Sequence, residues 1–232
     1  GARPFKFFER VESTQDIARE WALSDPALPN GAVVIAEEQT AGRGRGGRAW
    51  QSPPGTSLAC SIVLRPHVVP ERLPRLTIAG GLAVAQTLAP LLPEGALALK
   101  WPNDVLVNGR KICGILTEAT WIGDQLGPVI LGIGLNVRAD FAGTELEGVA
   151  TSLEPELERP VDRHVLLANL LGHVFRQAAR AGEPALIDDW RRWLGTLGRR
   201  VTVFPQVGDS EAYQGIAEDV DDSGALFVRL DT

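Results

Sequence analysis

Runs of apolar and β-branched residues recur through the first half of the chain and are separated by polar turns. Runs of this kind predict strands. Asn108-Gly109 joins two of them and is a residue pair typical of a type I′ hairpin, so Lys111 is expected near the start of the second strand. The predicted strands cover residues 5–11, 32–38, 57–64, 104–107, 110–117 and 129–137.

The strand predicted at 129–137 has one face with little side-chain bulk. Because side chains alternate between the two faces of a strand, Gly132, Gly134 and Asn136 lie on the same face. The two glycines clear part of that face. A face of this kind suits a bulge or tight helix packing, or it provides a flat wall for a thin ring-shaped ligand.

Four other stretches have apolar residues at helical spacing. Ser13 is a candidate N-cap for the first helix, with Asp16 three residues further on as a variant of the capping box. The pair Gly80-Gly81 in the second helix predicts a close contact with a neighbouring element, at some cost in helix propensity. The predicted helices cover residues 13–23, 73–92, 162–181 and 184–194.

From Gly195 onward the pattern changes to short strands. Strands are predicted over 199–204, 212–218 and 225–230, with turns at 207–209 and 221–224. So short a segment makes a poor core on its own, and we therefore expect it to dock on the main domain. The predicted fold class is α/β (α+β), with a mixed β-sheet packed with helices and a small β-rich domain at the carboxyl end.

Composition narrows the function classes. The chain has 232 residues, and 44% of them are apolar. No apolar stretch approaches eighteen residues, so neither a membrane span nor a secretory signal is predicted. The net charge of -6 argues against nucleic acid as the main partner. Cys60 and Cys113 both fall in apolar strand-like runs, so buried free thiols are expected rather than a disulfide or a reactive pair.

Residues 42–50 form the most unusual stretch, because they carry three arginines and four glycines and end in Trp50. Glycine allows close approach of the backbone to a ligand, and arginine side chains and free N–H groups bind phosphate or carboxylate. A dinucleotide fingerprint is a weaker interpretation, since that motif must lead into a helix and a turn cluster follows here instead. An RNA-binding arginine-glycine segment is also a weaker interpretation, because such segments are long, repetitive and disordered, whereas this one lies alone between two apolar strands. A solvated loop without a role is a further alternative.

A second unusual segment lies about fifty residues further on. It contains Lys100-Trp101-Pro102-Asn103-Asp104 and, after the hairpin, Lys111-Ile112-Cys113-Gly114-Ile115-Leu116. Together with the arginine loop, and in this order, these residues resemble the catalytic domain of biotin protein ligases. The resemblance extends across most of the chain through Glu12-Ser13-Thr14, Gln39-Thr40-Ala41 and Gly132-Ile133-Gly134-Leu135-Asn136.

The resemblance implies a biotin- and ATP-binding catalytic domain over 1–194, followed by a small SH3-like β-barrel over 195–232. It implies an ATP-dependent ligase that uses Mg²⁺, activates biotin as biotinyl-5′-AMP and transfers it to a lysine of a carboxylase's biotin carrier domain. A homodimer is a further candidate assembly. No residues for a helix-turn-helix precede residue 1, so DNA binding and repressor activity are not expected. A cytoplasmic location is expected.

The resemblance also assigns site residues. Lys111, Arg43 and Arg45 are expected to be catalytic, with Lys111 contacting both the biotin carboxylate and the α-phosphate and the arginine loop closing as a lid. No metal ligands are assigned, because Mg²⁺ is expected to arrive mainly with ATP. The residues expected to bind biotin are Ser13, Thr14, Gln15, Gln39, Gly42, Arg43, Gly44, Arg45, Lys111, Gly114 and Gly132. Those expected to bind ATP are Arg43, Arg45, Arg48, Trp50, Asn103, Asp104, Lys111 and Asn136.

Two positions depart from the commonest family pattern. Gly46 stands where a third basic residue is frequent, and Gln15 stands where many relatives carry Asn. A lipoate or octanoate protein ligase shares the fold and the acyl-activation logic and is the alternative function, although its usual arginine-and-glycine pattern differs. A non-catalytic nucleic-acid-binding module built on the arginine loop is a remote alternative.

Overall fold

A seven-stranded mixed sheet organises the computed structural model, which describes residues 3–204 and 212–231. The turn predicted at 207–209 lies outside the described residues. In chain order the main elements are β1 (Phe5–Val11), α1 (Thr14–Ser24), β2 (Val33–Gln39), β3 (Ser57–Leu64), α2 (Pro74–Leu88), β4 (Leu97–Lys100), β5 (Asp104–Val107), β6 (Arg110–Ile122), β7 (Gln125–Asn136), α3 (Leu153–Leu157), α4 (Arg163–Ala179), α5 (Ala185–Trp193), β8 (Arg200–Val203), β9 (Tyr213–Val220) and β10 (Leu226–Leu230). Short 3₁₀ turns cover Arg45–Gly47, Pro70–Arg72 and Ala89–Leu91.

The strand order is β1-β2-β3-β7-β6-β5-β4. Only the β1-β2 pair is parallel, with α1 as the connection between the two strands, and the remaining pairs in this sheet are antiparallel. Asn108 (φ 50°) and Gly109 (φ 78°) both have positive φ, which confirms the predicted type I′ hairpin between β5 and β6. Lys111 is the second residue of β6, as predicted.

Helix α2 packs on one face of the sheet, and Gly80 allows the close approach. A Cβ at Gly80 would lie 3.1 Å from Ile115 Cγ2 on β6 and 3.2 Å from Leu131 Cδ1 on β7. A side chain there would require these neighbours on the two central strands to shift by a few tenths of an ångström. Gly81 has ordinary contact distances to Leu99, so the predicted close packing depends on Gly80 alone.

Helix α1 packs against β2, β3 and β7 through a separate apolar cluster that includes Ala18, Val63 and Ile130. Because Ile130 has the same strand parity as Gly132 and Gly134, the glycine-bearing side of β7 faces α1. Ser13 is the N-cap residue, as predicted, but its hydroxyl makes no capping hydrogen bond. The predicted capping box is therefore wrong, because Asp16 is engaged by arginine side chains instead.

The carboxyl-terminal segment forms a three-stranded antiparallel sheet in the order β10-β9-β8. The small antiparallel sheet predicted there is confirmed, and the residues described in this segment do not close into a barrel. The sheet docks on the main domain, as expected. Trp101 Nε1 donates to Gly224 O at 3.0 Å, and Arg75 Nε donates to Asp222 O at 2.6 Å.

Two short elements and one hairpin were not predicted. Strand β4 has four residues and α3 has five, and segments this short do not show a clear strand-like or helix-like spacing of apolar residues. Strand β6 also continues to Ile122, and a turn at 123–124 leads directly into β7. None of the described helices combines the length and the apolar character that a membrane span requires.

Arg75 on α2 ties the carboxyl-terminal segment to the main domain through several hydrogen bonds. Its side chain is fully buried, and its guanidinium also donates to Ala181 O and Glu183 O at 3.2 Å each. These bonds join α2 to the α4–α5 connection and to the turn before β10. In the described residues Nε and Nη1 donate to carbonyl groups while Nη2 is buried without a partner, and the three bonds make the side chain a structural clamp.

We predict that Arg75→Leu lowers the free energy of unfolding by about 3 kcal/mol, because it leaves buried carbonyl groups without donors. Arg72→Leu is the matched control, since Arg72 is exposed and donates one bond of 3.3 Å. Urea unfolding of both variants measures the difference. Equal stability of the two variants would contradict the assignment of Arg75 as a clamp.

Candidate active site

A pocket opens on the α1 side of the sheet, above β3, β6 and β7. The amino end of α1 and the arginine loop form its walls. Twelve of the predicted site residues line it together: Ser13, Thr14, Gln15, Gln39, Arg43, Gly44, Arg45, Trp50, Asn103, Lys111, Gly114 and Gly132. Residues far apart in sequence thus share one cavity, as the family motifs imply.

Four predicted residues do not line the pocket. Gly42 lies at the base of the loop, where its carbonyl accepts a hydrogen bond from Trp50 N at 2.8 Å. Arg48 is exposed. Asn136 is buried at the end of β7 and donates to Thr151 O at 3.1 Å. Asp104 stands beside the pocket and reaches it through Lys111.

The remaining lining residues were not among the predicted site residues. They are Cys60, Ser61, Ile115, Leu116, Ile133 and Gly134. Gly134 could have been assigned from the strand face that it shares with Gly132. Ser61 is fully buried in an otherwise largely apolar run, and that polar position was the available signal.

Missing side chains on β6 and β7 give the pocket its depth. A Cβ at Gly134 would lie 2.4 Å from Trp50 Cε2, and a Cβ at Gly132 would lie 2.8 Å from Gln15 Oε1. A Cβ at Gly114 would lie 3.2 Å from Trp50 Cζ3. The flat wall predicted on this strand face therefore exists, and here the indole ring of Trp50 lies against it.

The end of the pocket nearest α1 contains buried polar atoms without partners. Ser13 Oγ and Gln15 Oε1 are both buried and make no hydrogen bond. Their neighbour Thr14 is paired, since its hydroxyl contacts Gln39 Oε1 at 3.0 Å and Ser61 Oγ at 2.8 Å. Unpaired buried polar atoms are costly in a folded protein, so two at one end of a pocket point to a polar ligand.

Lys111, the second residue of β6, lies next to Asp104 and the Trp50 ring. Its ammonium group is 2.6 Å from Asp104 Oδ1, an ion pair whose angles do not satisfy hydrogen-bond geometry. The same ammonium lies 5.7 Å from the centre of the Trp50 ring, within cation–π range. A cation is therefore fixed inside the pocket.

Arg43 is paired with carboxylates from distant parts of the sequence. Asp16 accepts two bonds from its guanidinium, at 2.5 and 2.9 Å, and Glu118 Oε2 lies 3.5 Å away. The Arg43 guanidinium lowers the pKa of Asp16 below its usual 3.8. The stabilisation from this pair is therefore fully present above pH 3.8 and is lost as the pH falls through the lower folded-state pKa.

In the described residues, Arg45 and Arg48 are not among the ion-pair partners of Asp16 and Glu118. Both arginines are exposed, and the Arg45 guanidinium lies 6.0 Å from the centre of the Trp101 ring. Within the loop, Gly44 N donates to Arg48 O at 2.7 Å. The loop is thus tied at Arg43 and at its base, while Arg45, at its tip, is exposed and still lines the pocket.

The two cysteines are free and buried, as predicted. Burial raises the pKa of the Cys60 thiol to about 12, and burial likewise raises that of Cys113. Both are therefore protonated at neutral pH, so neither is a nucleophile of this site.

The family model of the biotin/lipoate A/B protein ligase family matches residues 7–136. The bifunctional ligase/repressor BirA of Bacillus subtilis is 39% identical over 232 residues, which cover 96% of this chain and 68% of that protein. The biotin–acetyl-CoA-carboxylase ligase of Mycobacterium tuberculosis is 39% identical over 206 residues, covering 87% and 74% of the two chains.

Solved structures agree with these sequence relatives. The biotin protein ligase from Aquifex aeolicus in complex with biotin and ATP has a TM-score of 0.81 and 26% identity. The alignment covers 98% of this chain and 92% of that one. This chain belongs to the biotin/lipoate A/B protein ligase family.

We predict that neither Cys60 nor Cys113 reacts with a thiol reagent at pH 8 while the protein is folded, because burial keeps both protonated and covered. In guanidinium chloride both should react fully. Absorbance titration with an aromatic disulfide reagent measures the count in each state. A fast-reacting thiol in the native protein would contradict the burial described above.

Proposed function

We propose that this chain is an ATP-dependent ligase that activates biotin as biotinyl-5′-AMP and transfers the acyl group to a lysine of a carboxylase's biotin carrier domain. The main observation behind the proposal is that one pocket contains both neutral polar atoms and a cation. Unpaired neutral polar atoms occupy one part of it, and the Lys111 cation occupies another. Family membership and the named activities of the relatives support the same function.

The unpaired polar atoms suit the ureido ring of biotin. A cyclic urea has two N–H donors and one carbonyl acceptor, and it is neutral, so hydroxyl and amide groups match it without a charge. Ser13 Oγ can donate or accept, and Gln15 Oε1 can accept. The missing side chain at Gly132 lets Gln15 Oε1 reach this strand face, where a thin fused ring would meet it.

The cationic part of the pocket suits the chemical step. A biotin carboxylate oxygen attacks the α-phosphorus of ATP, the bond to the bridging oxygen breaks, and pyrophosphate leaves. Two anions must approach each other, so a fixed ammonium lowers the barrier by neutralising charge that grows in the transition state. Lys111 takes this role, and Arg45 at the loop tip is free to join the phosphates.

ATP binding requires space next to Lys111. Trp50 lies on Gly134 in that part of the pocket, with its ring nitrogen buried and unpaired, so the indole either stacks on the adenine or walls the pocket. Asn103, Asp104, Asn136 and Arg48 complete the proposed nucleotide contacts. Mg²⁺ is proposed to arrive with ATP.

In the second step the carrier lysine attacks the acyl carbon as a neutral amine. The mixed anhydride bond breaks, AMP leaves and the amine loses a proton. Net charge -6 supports a carrier protein and small molecules, rather than DNA, as partners. The two free thiols support a reducing compartment such as the cytoplasm.

The proposal is tested by incubating the protein with ATP and either biotin, lipoate or octanoate, and analysing the products by mass spectrometry. We expect an adenylate with biotin and, after addition of a biotin carrier domain, one acyl group on one lysine. An adenylate with lipoate or octanoate but not with biotin would contradict the proposed substrate. Absence of any adenylate would contradict the proposed reaction.

We predict that Lys111→Ala slows single-turnover pyrophosphate release by about a hundredfold or more, while biotin affinity changes far less. The reason is that charge compensation grows toward the transition state, whereas ureido contacts do not. Rapid-quench kinetics and equilibrium dialysis give the two quantities. Lys6→Ala is the control, because Lys6 is exposed on β1 and packs on Trp21, outside the pocket.

An almost unchanged rate of pyrophosphate release in the Lys111→Ala variant would contradict the assignment. So would a loss of biotin affinity as large as the loss of rate, since that pattern describes uniform binding rather than transition-state stabilisation.

A further inference from the structure

Glu118 contacts three side chains, and two of them, Gln15 and Arg43, line the pocket, although Glu118 does not line the pocket itself. A single oxygen, Oε2, accepts from Gln15 Nε2 at 3.0 Å and from Arg19 Nη2 at 2.8 Å, and Arg43 Nη2 approaches it at 3.5 Å. Gln15 and Arg19 come from α1, Arg43 comes from the loop, and Glu118 comes from β6. None of the family motifs in the sequence includes Glu118.

The contact with Glu118 determines which end of the Gln15 amide faces the ligand. An ionised carboxylate only accepts hydrogen bonds, so the amide nitrogen must face Glu118. The opposite orientation would place two acceptor oxygens 3.0 Å apart. Gln15 Oε1 is thereby directed over Gly132, where it is buried and has no partner.

The Glu118 carboxylate is itself held in position by charge. Arg19 and Arg43 both donate to it, and Asp16 accepts from both arginines in turn. The four side chains form a neutral network of two cations and two anions. Since only 4% of Gln15 is exposed, its amide has little freedom to turn against this network.

We propose that Glu118 is a positioning residue that makes Gln15 a hydrogen-bond acceptor and so makes the pocket select a ligand with a ring N–H at that point. The inference rests on the proposed function, because it takes the ureido ring of biotin as the ligand. One ureido nitrogen donates to Gln15 Oε1. A ligand with a methyl group on that nitrogen loses the bond and meets the buried oxygen instead.

The test compares the dissociation constants of biotin and of its two mono-N-methyl ureido derivatives by isothermal titration. In the unaltered protein we expect one derivative to bind at least about tenfold more weakly than biotin, because a buried acceptor is left unpaired. Glu118→Leu should reduce that ratio by about tenfold, because the Gln15 amide can then turn its nitrogen toward the ligand.

Glu118→Gln should keep most of the ratio. The two guanidinium groups only donate, so they orient the new amide with its oxygen at the Oε2 position, where it still accepts from Gln15. Glu38→Gln is the control for loss of a carboxylate from the sheet, since Glu38 pairs with Arg10 at 3.3 Å on the β1-β2 pair. Its ratio should equal that of the unaltered protein.

Gln15→Met provides a second route if Glu118→Leu does not fold. It removes the acceptor directly, keeps the Glu118 pairs with arginine, and should lower the ratio as Glu118→Leu does. In the double variant the two effects should not add, because both act through one hydrogen bond.

An unchanged ratio in Glu118→Leu or in Gln15→Met would overturn this inference, as would equal weakening of all three ligands in either variant. Equal affinity of the unaltered protein for all three ligands would also overturn this inference. None of these outcomes would contradict the proposed function. Failure of the unaltered protein to bind biotin would overturn the proposed function and this inference together.

Discussion

The absence of side chains at Gly114, Gly132 and Gly134 is the constraint on which the site depends. These residues lie on the adjacent central strands β6 and β7, on the face toward α1. Trp50 and Gln15 have atoms 2.4 to 3.2 Å from the points where a Cβ at these glycines would lie, which is closer than side chains normally pack. Helix α2 packs on the opposite face of these two strands.

Two of the three cationic side chains that line the pocket are already paired with carboxylates. Lys111 contacts Asp104, and Arg43 contacts Asp16 and Glu118. Each pair holds its charge in one place, and the desolvation cost is small because the side chains are only half-buried. An incoming carboxylate or phosphate must therefore share Lys111 with Asp104, whereas the Arg43 network can stay intact and serve as a fixed wall.

Elements that depend on local chemistry could be predicted from the sequence. The hairpin at Asn108-Gly109 and the close packing at Gly80 follow from backbone rules that hold in any fold. The prediction of a capping box was wrong because the Asp16 carboxylate accepts hydrogen bonds from Arg43, which is 27 residues away in the sequence. Glu118 could not be found at all, since its contacts span 75 to 103 residues and no local pattern marks it.

We infer that the biotin carboxylate attacks the α-phosphate inside this pocket. This step can be followed with biotin that carries ¹⁸O in its carboxylate, incubated with ATP and a carrier domain. We expect one ¹⁸O atom in the AMP that is released when the lysine is acylated. Label in pyrophosphate or inorganic phosphate, with none in AMP, would contradict it.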